Sequence, residues 1–150
     1  AQRSQLAGQG VDASFMQLAA RDGKASEYLE SLDFQISMLA NMGAGEEDRL
    51  ISETLETLPE LKDMLKSTIK AWREGNTQKI DELVVDTFKR ESPASYDDVF
   101  TKRNQNWLPQ IEAMFGDDDQ EFVLVGAGHL VGDDSVIALL KAKGYKVEQM

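Results

Sequence analysis

A chain of 150 residues suffices for one domain with one core, and its 41 % hydrophobic content is ordinary for a globular protein. With 27 acidic against 16 basic residues the formal charge is −11, and no block of basic residues occurs, which argues against nucleic acid or an anionic membrane as partner. The absence of cysteine excludes disulfides and thiolate metal sites. No run approaches the roughly 18 apolar residues of a membrane span, and no signal peptide is visible.

Ala1–Gly10 reads as a polar lead-in. Val11–Arg21 reads as a helix, because Val11, Phe15, Leu18 and Ala19 share one face, and Asp22-Gly23 ends it. Ala25–Leu29 reads as a short strand that places Glu30 at its carboxyl end, with Ser31 as the cap of the next helix. That helix, Leu32–Met42, carries Leu32, Ile36, Leu39 and Ala40 at helical spacing and breaks at Gly43-Ala44-Gly45. Glu46, Glu47 and Asp48 suit the positive end of a further helix with Leu50, Ile51, Leu55 and Leu58 on one face. Pro59 is expected to stop or kink it. Leu61, Met64, Leu65, Thr68 and Trp72 mark another helix, closed by Gly75. Thr77 caps one more, with Ile80, Leu83, Val84 and Phe88 inward. Residues 32–90 therefore form a helical subregion. Asp117-Asp118-Asp119 reads as a solvated loop.

Residues 93–150 read as helix–strand–helix–strand. Ser92 or Ser95 starts a long helix to about Phe115, with Phe100, Arg103, Asn104, Trp107, Ile111 and Phe115 near one face. Pro109 lies inside it, which predicts a kink at Gln105–Pro109. Phe122–Val125 is too short for a helix and reads as a strand buried on both faces. Gly126-Ala127-Gly128 turns the chain, and His129, the only histidine, follows. Asp133 or Asp134 caps a helix with Val136, Ile137, Leu139 and Leu140 on its apolar face, ended by Gly144 at the C′ position. Tyr145–Glu148 alternates as a second strand. The fold class this implies is α/β, helix-dominated, with a small, incomplete, mainly parallel sheet. His129 then sits beyond the carboxyl end of a strand, where open α/β sheets bind their ligands.

His129 is a candidate metal ligand or acid–base group, although a single histidine is more often a packing residue. Arg103, on an apolar helix face, is either a site cation or a snorkelling side chain; if buried, it needs a carboxylate or several carbonyls. Glu30 gains interest if the two strands are neighbours, since it then shares an edge with His129. Gly126-x-Gly128 lacks the rest of a dinucleotide fingerprint, and no Ser–His–Asp set can be built.

Four short motifs point further. They are Gly10-Val11-Asp12, Leu29-Glu30-Ser31 with Gln35, Arg103-Asn104-x-x-Trp107, and Gly126-x-x-His129 followed by a helix and Gly144-Tyr145-x-Val147. In this order they resemble the TraB/GumN family, relatives of the Tiki metalloproteases, over about Gly10 to Met150. The resemblance implies that residues 11–150 are the C-terminal part of a larger Tiki/EreA-like domain. It implies a metal-dependent peptidase site built from two G-x-x-H motifs, a glutamate and polar residues. Glu30, His129, Arg103 and Asn104 match the catalytic set, and Glu30 and His129 match the metal ligands. Manganese, cobalt and zinc are equally compatible with such donors. Because His129 is the only histidine, the other G-x-x-H is absent, and this chain alone is expected to be inactive. A peptide or protein is the implied substrate, and the cell envelope or exterior the implied location. The competing reading is a non-catalytic helical module that binds a peptide or protein. An unpaired edge at Phe122–Val125 further predicts a homodimer.

Overall fold

Amphipathic periodicity governs nearly every element of the computed structural model, which describes residues 10–41, 45, 47–116 and 118–150. The helices are α1 (Val11–Arg21), α2 (Leu32–Asn41), α3 (Glu47–Arg73), α4 (Thr77–Ile80), α5 (Thr87–Glu91), α6 (Pro93–Tyr96), α7 (Lys102–Ala113) and α8 (Val136–Ala142). Wider π-type turns at Asp81–Asp86 and Asp97–Thr101 join α4 to α5 and α6 to α7, and tight 3-10 turns form at Met114–Gly116 and Ala127–Leu130. The expectations for Ala1–Gln9, Met42, the break at Gly43-Ala44, Glu46 and Asp117 lie outside the described residues.

The fold is helical, which corrects the expectation of an α/β fold with a parallel sheet: no strand forms among the described residues. A strand exists only when its backbone groups pair with a neighbour about 4.8 Å away. Ala25–Leu29, Phe122–Val125 and Tyr145–Glu148 instead run as irregular chain against helices. Leu29, Val125 and Val147 pack on the core formed by Trp107, Leu108, Ile111, Val136 and Leu140. The Leu29 carbonyl accepts from Gln110 Nε2 of α7 at 2.9 Å, and Gln149 Nε2 donates to the Gly75 carbonyl at 2.7 Å. Phe122 stacks on Phe15 of α1, centroids 4.9 Å apart. Only Leu29, Val125 and Val147 of these segments are partly buried; Phe122, Val123 and Leu124 are exposed, which also corrects the expectation of a strand buried on both faces.

Pro59 lies inside α3, which runs unbroken where the sequence suggested a stop or kink. A proline removes only its own N–H and disturbs one carbonyl, and the turns on either side continue the helix. Two caps sit one or two residues from their expected positions. Asn76, not Thr77, accepts from Lys79 N at 2.9 Å, and Ser135, not Asp133 or Asp134, accepts from Ala138 N at 3.1 Å. Ser31 does cap α2, accepting from Phe34 N at 3.2 Å. Ser31→Ala is expected to cost about 1 kcal/mol in urea unfolding, the usual price of a lost N-cap.

The core has two parts. One gathers Ala71, Ile80, Val85, Tyr96, Phe100 and Val131; the other gathers Trp107, Leu108, Ile111, Val136 and Leu140. His129 lies between them, its ring centroid 5.2 Å from that of Phe100 and 4.5 Å from that of Trp107. The predicted apolar stripes of α2 and the first half of α3 are left exposed: Ile36, Leu39, Ile51 and Leu55 each keep more than half of their surface. Among the described residues no helix is long and apolar enough to cross a membrane.

Candidate functional site

The residues singled out in three distant stretches of sequence meet at one point. The α7 helix presents Arg103, Asn104 and Trp107 on one side. The segment before α2 brings Glu30, and the 3-10 turn at Ala127–Leu130 brings His129. The turn forms because His129 N donates to the Gly126 carbonyl at 2.9 Å. The fourth motif only starts a helix: Gly10 is the N-cap of α1.

Glu30 is held as an ion. Arg103 grips it with two donors, Nε to Oε2 at 3.0 Å and Nη2 to Oε1 at 2.5 Å. Trp107 Nε1 adds a bond to Oε2 at 3.2 Å. The side chains of Arg103 and Glu30 are 15 % and 9 % exposed, so this pair is largely removed from water. Burial alone would push the Glu30 carboxyl up, but the hydrogen bonds and charge of Arg103, with Trp107 and Gln35, hold it below its ordinary value. The guanidinium also lies over the Trp107 ring, 4.8 Å from its centroid.

The tautomer of His129 follows from Asn104, which is 1 % exposed. Asn104 Nδ2 donates to the Asp134 carbonyl at 2.8 Å, so its Oδ1 faces His129 Nδ1 at 2.7 Å. An amide oxygen can only accept, which assigns the proton to Nδ1. Nε2 therefore carries a lone pair, and Arg103 Nη1 approaches it to 3.3 Å. Burial, and then the charge of Arg103, lower the His129 pKa to about 4, against the pull of Glu30. The imidazole is thus neutral around pH 7.

The π-type turn at Asp97–Thr101 helps to set this register. Lys102 N reaches back to the Asp97 carbonyl, and the Val99 carbonyl accepts from Arg103 Nη1 at 3.3 Å. Such wide turns are frequent at functional sites. Phe100 within it packs on the histidine turn so closely that a Cβ added at Gly128 would stand 2.8 Å from Phe100 Cε1. Gly126, by contrast, has an ordinary φ of −59° and 3.7 Å of clearance to the His129 ring. Gly128→Ala is therefore expected to lower stability by about 1–3 kcal/mol through overpacking, whereas Gly126→Ala should change it much less; thermal unfolding of both variants checks the contrast.

His129 also forms part of the wall of an open, mostly apolar cleft of about 470 Å³ between α3 and the turn, lined by Ile69, Trp72, Val84 and Phe100. Trp72 is 58 % exposed there.

Glu30, Arg103, Asn104 and His129, the four residues matched by resemblance, are all brought together. Trp107 was read as a motif position and not as a donor to Glu30; its spacing from Arg103 on the helix was the available signal. Among the described residues no three His, Asp or Glu converge to hold a metal ion. Glu30 and His129 are only two donors, and a guanidinium already bridges them. A catalytic zinc usually has three protein ligands and an open position. As folded here, this donor set does not fit a divalent metal.

A family model described as TraB/PrgY/gumN family matches residues 1–149. No curated protein and no solved structure matches the chain.

Proposed function

This chain belongs to the TraB/PrgY/gumN family, and from that premise we propose that it binds a peptide or protein segment in the cleft beside His129, without catalysing a reaction on its own. The observation that carries this reading is the open apolar cleft of about 470 Å³ that His129 helps to wall, with Trp72 58 % exposed in it. The neighbouring Ile69, Trp72, Val84 and Phe100 supply apolar surface for a side chain. Trp72 is a natural reporter. Titration with short peptides that carry an apolar residue is expected to change its fluorescence saturably, and His129→Ala is expected to weaken the binding at least tenfold. No saturable change with any such peptide, or equal binding by His129→Ala, would sink the reading.

The second reading is the metal-dependent peptidase that the resemblance implies. It draws support from the convergence of Glu30, Arg103, Asn104 and His129 on one point. Peptide cleavage that requires added manganese, cobalt or zinc, and that His129→Ala abolishes, would favour it over a binding module. The same resemblance supports a location in the cell envelope or outside the cell, which fractionation of the source cells tests. Self-association is proposed through Phe122–Val125, where Phe122 is 69 % exposed and the backbone makes no hydrogen bond within the described residues. A homodimer is the expected result of sedimentation equilibrium, broken by a charge at Val123; a monomer at high micromolar concentration is the contrary outcome.

A further inference from the structure

We propose that Arg103 is the resident cation of the Glu30–His129 site and that, as this chain folds, it keeps divalent metal ions out. Three donors meet Glu30: Arg103 Nε and Trp107 Nε1 on Oε2, and Arg103 Nη2 on Oε1. Both carboxylate oxygens are engaged, and the guanidinium that holds them also reaches His129. His129 is committed in the same way. Its Nδ1–H is spent on Asn104, and its lone pair on Nε2 meets Arg103 Nη1 at 3.3 Å. A metal ligated at Nε2 would sit about 2.0–2.1 Å from that atom, against a guanidinium that cannot lose its charge.

Charge balance points the same way. Glu30 and Arg103 neutralise one another, and their side chains are 9 % and 15 % exposed. The imidazole beside them is neutral. A divalent ion added to this set would leave two uncompensated positive charges in a site where water screens them poorly. Arg103 is also held from behind by the Val99 carbonyl and by the Trp107 ring, so it is not a loose surface side chain. Metal binding therefore requires Arg103 to leave Glu30. The two cations compete for the same carboxylate.

The readout is the metal itself, so the proposal stands or falls separately from peptide binding in the cleft. With one histidine in the chain, ¹⁵N-labelled imidazole gives a single unambiguous pair of signals. Zinc, manganese or cobalt chloride is titrated into the wild-type protein and the binding followed by calorimetry, with the ¹⁵N signals followed for zinc. The expected result is an unshifted Nε2 signal, with any heat from surface carboxylates the same in His129→Ala. Arg103→Gln, confirmed as folded by circular dichroism, is expected to gain at least tenfold in zinc affinity, and to lose the gain when Glu30→Gln or His129→Ala is added. One equivalent of zinc that shifts Nε2 of the wild type at micromolar concentration would overturn the proposal. So would a folded Arg103→Gln protein that shows no gain. If Arg103→Gln does not fold, the wild-type Nε2 signal decides the matter alone.

Discussion

Arg103→Ala is expected to lower folding stability by about 3–5 kcal/mol, the usual cost of removing one partner from a buried ion pair. The reason is the carboxylate that stays behind. With its side chain 9 % exposed, Glu30 would lose the guanidinium that compensates its charge and retain the Trp107 indole N–H as donor. Glu30→Ala should be similarly costly, since it strands the Arg103 charge and the Trp107 indole N–H together. Replacing both residues by methionine removes both charges and fills the space, so it should cost less than the sum of the single changes. The surface provides the contrast. Lys102 pairs with Asp98 at 2.5 Å, but the two side chains are 58 % and 56 % exposed. Solvent and salt screen such a pair, and Lys102→Ala is expected to leave stability nearly unchanged. Urea unfolding of the four variants measures all of this. A cost below about 1 kcal/mol for Arg103→Ala would mean that water reaches Glu30 freely and that the pair belongs with the surface bridges.

The contrast between what the sequence foretold and what it hid follows from the range of the forces involved. Helix α1 and the start of α2 were legible because their signals are local: apolar spacing within a few turns, and a serine at the cap. The sheet was misread because a strand depends on two segments. Phe122–Val125 has the composition of a buried strand, yet no partner segment pairs with it among the described residues; only Val125 packs against α7 and α8, and Phe122, Val123 and Leu124 stay exposed. The caps at Asn76 and Ser135 were missed narrowly, since several side chains in a row can accept the same N–H. The candidate site was legible through motif order. Arg103 and Glu30 are 73 positions apart, and no periodicity connects them. Asn104 was legible as a site residue through its motif, but what it does there was not. Only the fold reveals that it is 1 % exposed and joins the Asp134 carbonyl to the histidine ring. The metal reading rested on Glu30 and His129 as donors, and the fold sets the Arg103 guanidinium between them.

Acidification is expected to destabilise the protein before most of its carboxylates protonate, by about 2 kcal/mol near pH 5. His129 is the source. Its pKa falls from 6.5 to about 4 on folding, because burial and the charge of Arg103 oppose a second positive charge. Between those two values the unfolded chain binds the proton and the folded chain does not, so stability drops as pH drops through this window. The slope from the histidine fades above about pH 6.5 and is nearly gone by about pH 7.5. Glu30 acts in the same direction but later: its lowered carboxyl pKa gives stability that is present above its ordinary value of 4.5 and disappears as pH falls through the folded value. Asp81 acts against both. Burial, with Asp86 and Asp133 nearby, raises its pKa, so the folded form takes up a proton first and gains stability as pH falls toward the unfolded value of 3.8. Urea unfolding between about pH 7 and pH 4.5 should therefore show a slope that belongs mostly to the single imidazole. His129→Gln removes the titrating group, and its stability should be nearly flat over the same range. The histidine proton resonance gives an independent check, because it should stay in its neutral position down to about pH 5. A titration midpoint near 6.5 would show that the ring is solvated and not enclosed by Phe100, Trp107 and Arg103. A slope that persists in His129→Gln would move the acid sensitivity to some other group.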